Sequence, residues 1–77
     1  MYQIIGIEST YFKDKETHQE FHGTRLHCTY EKENVDGLCV ESFYCNSRVD
    51  VDGLKLGDHC EIFYNKYGKV SHIKVVG

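Results

Sequence analysis

His59-Cys60-Glu61-Ile62-Phe63-Tyr64-Asn65-Lys66-Tyr67-Gly68-Lys69-Val70-Ser71-His72-Ile73-Lys74-Val75-Val76 is the stretch whose reading decides the fold class. Cys60, Ile62 and Tyr64 alternate with His59, Glu61 and Phe63, and beyond the turn Ile73 and Val75 alternate with His72 and Lys74. A period of two selects strands over helices. Asn65-Lys66-Tyr67-Gly68 between the two runs supplies a short loop in which Gly68 suits a left-handed position. The segment is therefore a β-hairpin joining His59–Tyr64 to Lys69–Val76.

Working back toward the start, the same rhythm recurs. Leu38–Asn46 reads as a strand entered from the turn Glu33-Asn34-Val35-Asp36-Gly37, whose Asp-Gly pair supplies positive φ. Ser47–Asp58 is the one long connection, with room for a single helical turn. Glu20–Glu31 is a second strand containing Gly23, which predicts a bulge or tight bend. Tyr2–Phe12 is the first strand, and Lys13-Asp14-Lys15-Glu16-Thr17-His18 is its hairpin tip. Five short strands and no Pro in 77 residues predict an all-β chain, one domain over residues 1–77, forming a five-stranded small barrel. A seven-stranded sandwich needs more residues than this.

Alternation also sorts the side chains. Leu26, Cys28 and Tyr30 share one face of the second strand, and Arg25, His27 and Thr29 the other. In the third strand Leu38, Val40, Ser42 and Tyr44 oppose Cys39, Glu41, Phe43 and Cys45. The expected core is Ile5, Ile7, Leu26, Cys28, Leu38, Val40, Leu54, Leu56, Cys60, Ile62, Ile73 and Val75. Arg25, His27, Phe43 and Phe63 are then expected outside, joined by Tyr11, Tyr44 and Tyr67. Rings facing water beside cations either cover the second side of a coiled sheet or a dimer contact, or form a platform for unstacked bases.

Composition narrows the function. The net charge of -3 argues against a protein that holds duplex DNA mainly by charge, since phosphate binding rests on Lys and Arg. The opening Met1-Tyr2-Gln3-Ile4-Ile5-Gly6 lacks the basic and apolar regions of a signal peptide, and no apolar run is long enough for a membrane helix. The expectation is a soluble, cytoplasmic protein whose Cys28, Cys39, Cys45 and Cys60 are reduced thiols. The Cys spacings contain no C-x₂₋₄-C pair, so a zinc knuckle is not expected, and small buried hydrophobes describe Cys28 and Cys60 better. Cys39 and Cys45 are expected partly exposed. Asp50-Val51-Asp52-Gly53 matches the opening of a calcium loop, but the Glu at the twelfth position, Glu61, falls inside a strand. No nucleophile elbow, P-loop, zincin motif or carboxylate constellation is present. An enzyme is not expected, nor a metal or cofactor.

The initial strand, the charged hairpin Lys13–His18, the turn Asp36-Gly37 and the closing block from Gly53-Leu54 through Asn65-Lys66-Tyr67-Gly68-Lys69-Val70 to Val75 make up a layout covering most of the chain. It resembles the small helix-destabilising, single-stranded-DNA-binding proteins of filamentous phages, and more broadly the short OB-fold proteins of bacterial mobile elements. The chain departs from that pattern in its acidic balance and four Cys. The resemblance implies an OB-fold-like barrel, a homodimer, and sequence-independent binding of single-stranded nucleic acid, DNA ahead of RNA. Carried over by position, Arg25 would meet phosphates, and Phe43, Tyr44 and Tyr67 would stack on bases or form the dimer contact; the cations Lys13, Lys15, Arg48 and Lys66, read from the chain itself, would join Arg25 in tracking the backbone. The competing expectation is a small β-barrel interaction module or accessory subunit, docking through an exposed edge or apolar patch.

Overall fold

Period-two alternation becomes strand along most of the chain. The structure, a computed structural model, describes residues 1–76 and contains β1 (Tyr2–Lys13), β2 (Glu20–Tyr30), β3 (Cys39–Asn46), β4 (His59–Tyr64) and β5 (Val70–Val76). All five are antiparallel in one sheet of order β3-β2-β1-β4-β5. The strands lie within a residue or so of the expected bounds, β3 starting at Cys39 and β5 at Val70.

The sheet curls so that its edge strands β3 and β5 approach one another across the inner face, but no ladder joins them. The expected barrel is not closed by hydrogen bonds. β4 pairs with β1 only at Tyr2 and Gln3, and Gly57 and Asp58 extend this contact through Ile4, by Ile4 N–H to the Asp58 carbonyl at 2.9 Å and Gly57 N–H to the Ile4 carbonyl at 2.7 Å. Beyond that point β1 and β2 continue as an arm toward the Lys13–His18 turn, and the molecule reaches 46 Å along its longest axis.

The core is Ile4, Leu26, Cys28, Phe43, Cys45, Val49, Cys60 and Val70. Leu26, Cys28 and Cys60 are as expected, and Leu54, Ile62 and Ile73 pack against this core half-buried. The other expected core residues are exposed, each for a local reason. A bulge between Ile4 and Gly6 leaves Ile5 as the unpaired extra residue, so Ile4 takes the inner position and Ile5 lies out. Ile7 stands opposite Leu26 but beyond the reach of β4, and so has no cover. Val75 is exposed on the outer strand β5, and Leu38 and Leu56 lie in connections.

β3 is inverted relative to the expectation. Its register sets Phe43 opposite Leu26 and Cys45 opposite Thr24, and cross-strand partners share a face. Phe43 and Cys45 are buried while Val40 is exposed. The physical preference is plain: the other frame would turn the Ser42 hydroxyl inward and a phenylalanine ring outward.

The long connection forms no helical turn. Asn46, Asp50 and Asp58 carboxyl or amide oxygens accept the N–H groups of Arg48, Asp52 and Lys55 at 2.9, 3.0 and 3.0 Å, which offers the backbone an alternative to helix. The same bonds make Asp50-Val51-Asp52-Gly53 a turn. Buried Val49 anchors it to the core.

Candidate functional site

The outer face of β1, β2 and β3 carries a row of rings. Register places Phe12 opposite Phe21 and Arg25 opposite Tyr44. Phe12 and Phe21 lie 6.1 Å apart, and the Arg25 guanidinium is 5.8 Å from the centre of the Tyr44 ring. Gly23 makes this arrangement fit. Its register is continuous, so the expected bulge is absent there, and a Cβ on Gly23 would stand 2.6 Å from the Tyr44 hydroxyl oxygen. The missing side chain lets the Tyr44 ring lie across β2, leaving Tyr44 45% exposed.

Between β3 and the β4–β5 turn runs a groove of about 630 Å³. Glu41, Phe43, Tyr44 and Phe21 line one side, and Tyr64, Gly68, Lys69 and Val70 the other. The turn is held by Asn65, whose side-chain oxygen accepts the N–H groups of Tyr67 and Lys69 at 2.9 and 3.1 Å. Gly68 takes φ +76°, as the short loop requires. At the inner end of the groove the Tyr2 hydroxyl donates to Glu41 at 3.4 Å, and Tyr2 packs edge-on against Phe43 at 4.8 Å and Tyr30 at 5.4 Å. Burial and then the Glu41 charge push the Tyr2 and Tyr64 hydroxyl pKa values up.

A second polar feature crosses the same outer face. The Glu8 carboxylate accepts from His27 Nε2 at 3.0 Å, and His27 Nδ1 lies 2.9 Å from the Ser42 hydroxyl. A carboxylate can only accept, so Nε2 carries a proton and a neutral ring receives the Ser42 hydroxyl at Nδ1. The bulge glycine Gly6 lies beneath this ring, where a Cβ would come within 3.3 Å of the His27 side chain. The three residues tie β1, β2 and β3 together on the exposed side.

The structure brings Arg25 and Tyr44 together and sets Lys66 over Tyr67 at 5.1 Å, with Tyr67 73% exposed. Arg48 lines a shallow cleft with Phe21 and Tyr44. Phe43 is a correction: at 5% exposure it is core and offers no open face. Lys13 shares the inner face of the arm with Glu20, its register partner, and Lys15 sits at the hairpin tip beside Asp14 and His18, so neither joins the Arg25–Tyr44 face. Phe21 and Glu41 belong to the site and were not expected there. Phe21 had a readable signal, since it shares the parity of Arg25 along β2. Glu41 had none, because its placement follows from the inverted frame of β3.

Cys28, Cys45 and Cys60 are buried and Cys39 is half-buried, all four as free thiols, which corrects the expected exposure of Cys45. Burial foremost, with the neighbouring Cys60 and Cys45, pushes the Cys28 thiol up to about 11, so the core thiols are poor nucleophiles. Among the described residues no group of three or more His, Cys, Asp or Glu is placed to hold a metal ion, and no helix is long and apolar enough to cross a membrane. Comparison with family models, curated proteins and solved structures finds no match to this chain.

Proposed function

We propose that the chain binds single-stranded nucleic acid, DNA ahead of RNA, across the outer face of β2 and β3 and along the groove to the β4–β5 turn. The observation that carries this reading is the convergence of Phe21, Tyr44 and Arg25 on one open face beside Lys69. Flat rings stack on any base, and the guanidinium meets the backbone between them. The strand order supports the reading. A sheet ordered β3-β2-β1-β4-β5 whose edges β3 and β5 approach one another has the strand neighbours an OB-like barrel would have if opened at one seam. In such barrels the face of the second and third strands and the loops after the first and fourth strands hold oligonucleotides. Here the loop after β4 carries Lys66, Tyr67 and Lys69.

Fluorescence anisotropy with labelled oligo-dT tests the proposal. Four phosphate contacts on a single strand give a slope of about -3 in log K against log salt. Absence of salt-dependent binding at about 50 μM protein in low salt, well inside the usual non-specific range, overturns it.

A second reading, docking of another protein or a second copy, is favoured by one feature. β1 beyond Ile4 lacks a neighbour on its β4 side, and Ile5, Ile7 and Phe12 are exposed along it, as an edge open to strand addition would be. Light scattering on a size-exclusion column decides it: a dimer at micromolar concentration supports this reading, and a monomer counts against self-association.

A further inference from the structure

Glu41 is out of place in a groove for a polyanion. It lies among Tyr64, Tyr44, Phe21 and Lys69, its side chain is exposed, and only one of its oxygens receives a hydrogen bond, the long one from Tyr2. A carboxylate so placed repels phosphate and accepts hydrogen bonds. The fitting part of a nucleic acid is therefore a base edge with N–H donors and no charge. Guanine alone among the common bases presents two adjacent donors, N1–H and the 2-amino group, on its Watson–Crick edge, matching the two oxygens of a carboxylate. Thymine and uracil present one donor flanked by carbonyls, which a carboxylate opposes.

Two further observations make the site specific. Tyr64 is 51% exposed at the groove wall, giving an inserted base a ring to lie on. β3 is an edge strand, so alternate main-chain N–H and C=O groups face the groove unpaired and can meet the other atoms of the base. The volume, about 630 Å³, admits a base together with its sugar.

Resting on the single-strand-binding reading above, we propose that this groove is a guanine-selective subsite in which Glu41 accepts the N1–H and 2-amino hydrogens of a base laid against Tyr64. The strand's phosphates pass Lys69 on the far wall of the groove and Arg25 on the outer face beyond Tyr44, so the chain binds any single strand and prefers one that places guanine at this point.

Anisotropy with dT12, d(TG)6 and d(TI)6, inosine lacking the 2-amino group, tests this in a lithium buffer that suppresses guanine quadruplexes. The expected order is d(TG)6 tightest, by about tenfold over dT12, the lower part of the range for one paired donor–acceptor contact, with d(TI)6 between them. Glu41→Gln, an exposed and isosteric change checked for folding by circular dichroism, brings the three within about twofold of one another. If dT12 binds but the wild type does not separate the three, or if E41Q keeps the preference, the guanine subsite is overturned and the general binding reading stands. A groove that instead takes an added peptide strand also gives no separation. If none of the three binds, both readings fall. If only d(TG)6 binds, the subsite is supported directly.

Discussion

Phe43→Ala and Tyr44→Ala form a matched pair, because neighbouring residues on a strand point to opposite faces and the frame of β3 decides which ring is structural. Phe43 is 5% exposed, stands opposite Leu26 and meets the Tyr2 ring edge-on at 4.8 Å. Removing such a ring costs about 3–5 kcal/mol, against a total stability of about 4–12 kcal/mol for a domain of this length. Tyr44 is 45% exposed. Its loss removes cover from Gly23 and the contact with Arg25 at 5.8 Å, together about 1 kcal/mol of folding stability. On the proposed function the same change removes a stacking partner and weakens oligo-dT binding by about 5- to 150-fold, equivalent to about 1–3 kcal/mol. Urea denaturation followed by circular dichroism gives the first quantity, and anisotropy on the folded variants gives the second. A Tyr44→Ala protein that unfolds while Phe43→Ala is neutral would refute the β3 register. Near-wild-type affinity in a folded Tyr44→Ala variant would refute the stacking role.

Gly23→Ala brings a Cβ onto the Tyr44 hydroxyl; because the far end of a side chain can swing aside, folding stability changes by less than about 1 kcal/mol while oligo-dT affinity drops toward that of Tyr44→Ala, and thermal melts with anisotropy separate the two. Alkaline unfolding follows from Cys28, whose folded pKa of about 11 lies above the ordinary thiol value of 9.0. The group is neutral when protonated, so the unfolded chain loses its proton first, and the stabilisation is full below pH 9 and lost as pH rises toward 11. It amounts to about 2–3 kcal/mol, and urea midpoints at pH 7, 9 and 10.5 under reducing conditions check it; a midpoint constant to pH 10.5 contradicts it. Replacing Arg25 and Lys69 together by Gln lowers the steepness of the salt dependence of oligo-dT binding by about 1.4, at about 0.7 per phosphate contact on a single strand, whereas Lys13→Gln and Lys15→Gln on the arm leave it unchanged.

The parts of the fold legible in the sequence are those where only one frame of alternation buries apolar matter. In β2, Leu26 and Cys28 face away from Arg25 and His27, and in β4, Cys60 and Ile62 face away from His59 and Glu61; both frames are as the structure has them. Ile4-Ile5-Gly6-Ile7 has no such asymmetry, since either frame supplies isoleucines. The outcome depends on a bulge that the neighbouring strand and the Gly57–Asp58 bonds to Ile4 impose. Leu38-Cys39-Val40 is equally ambiguous, and the frame of β3 is set by its pairing with β2, where Phe43 meets Leu26. The candidate site inherits this division. Arg25 was readable from β2 alone, whereas moving Phe43 inward and Glu41 into the groove required knowing the partner strand.

Net charge is a poor guide to what such a face can hold, because the charges are not spread evenly. Phosphate attraction acts over about 10 Å at ordinary ionic strength, so what matters to a bound strand is the balance within that distance. Arg25, Arg48 and Lys69 stand with Tyr44 and Phe21 around the cleft and groove. The acidic residues of that neighbourhood are Glu20 and Glu41, together with Glu8, the register partner of Arg25, and Asp50 and Asp52 beside Arg48. Asp36, Glu31 and Glu33 belong to the connection between β2 and β3, at the end of both strands opposite Gly23 and Asn46. On the proposed reading a bound strand thus follows a path of separate cations and rings interspersed with carboxylates. Such a path holds a strand weakly and in one track, because a strand that strays meets carboxylates. Binding governed this way is strongly salt-dependent yet saturates at one short oligonucleotide per chain, and titrations with dT6, dT12 and dT24 showing unlimited gain with length would contradict it.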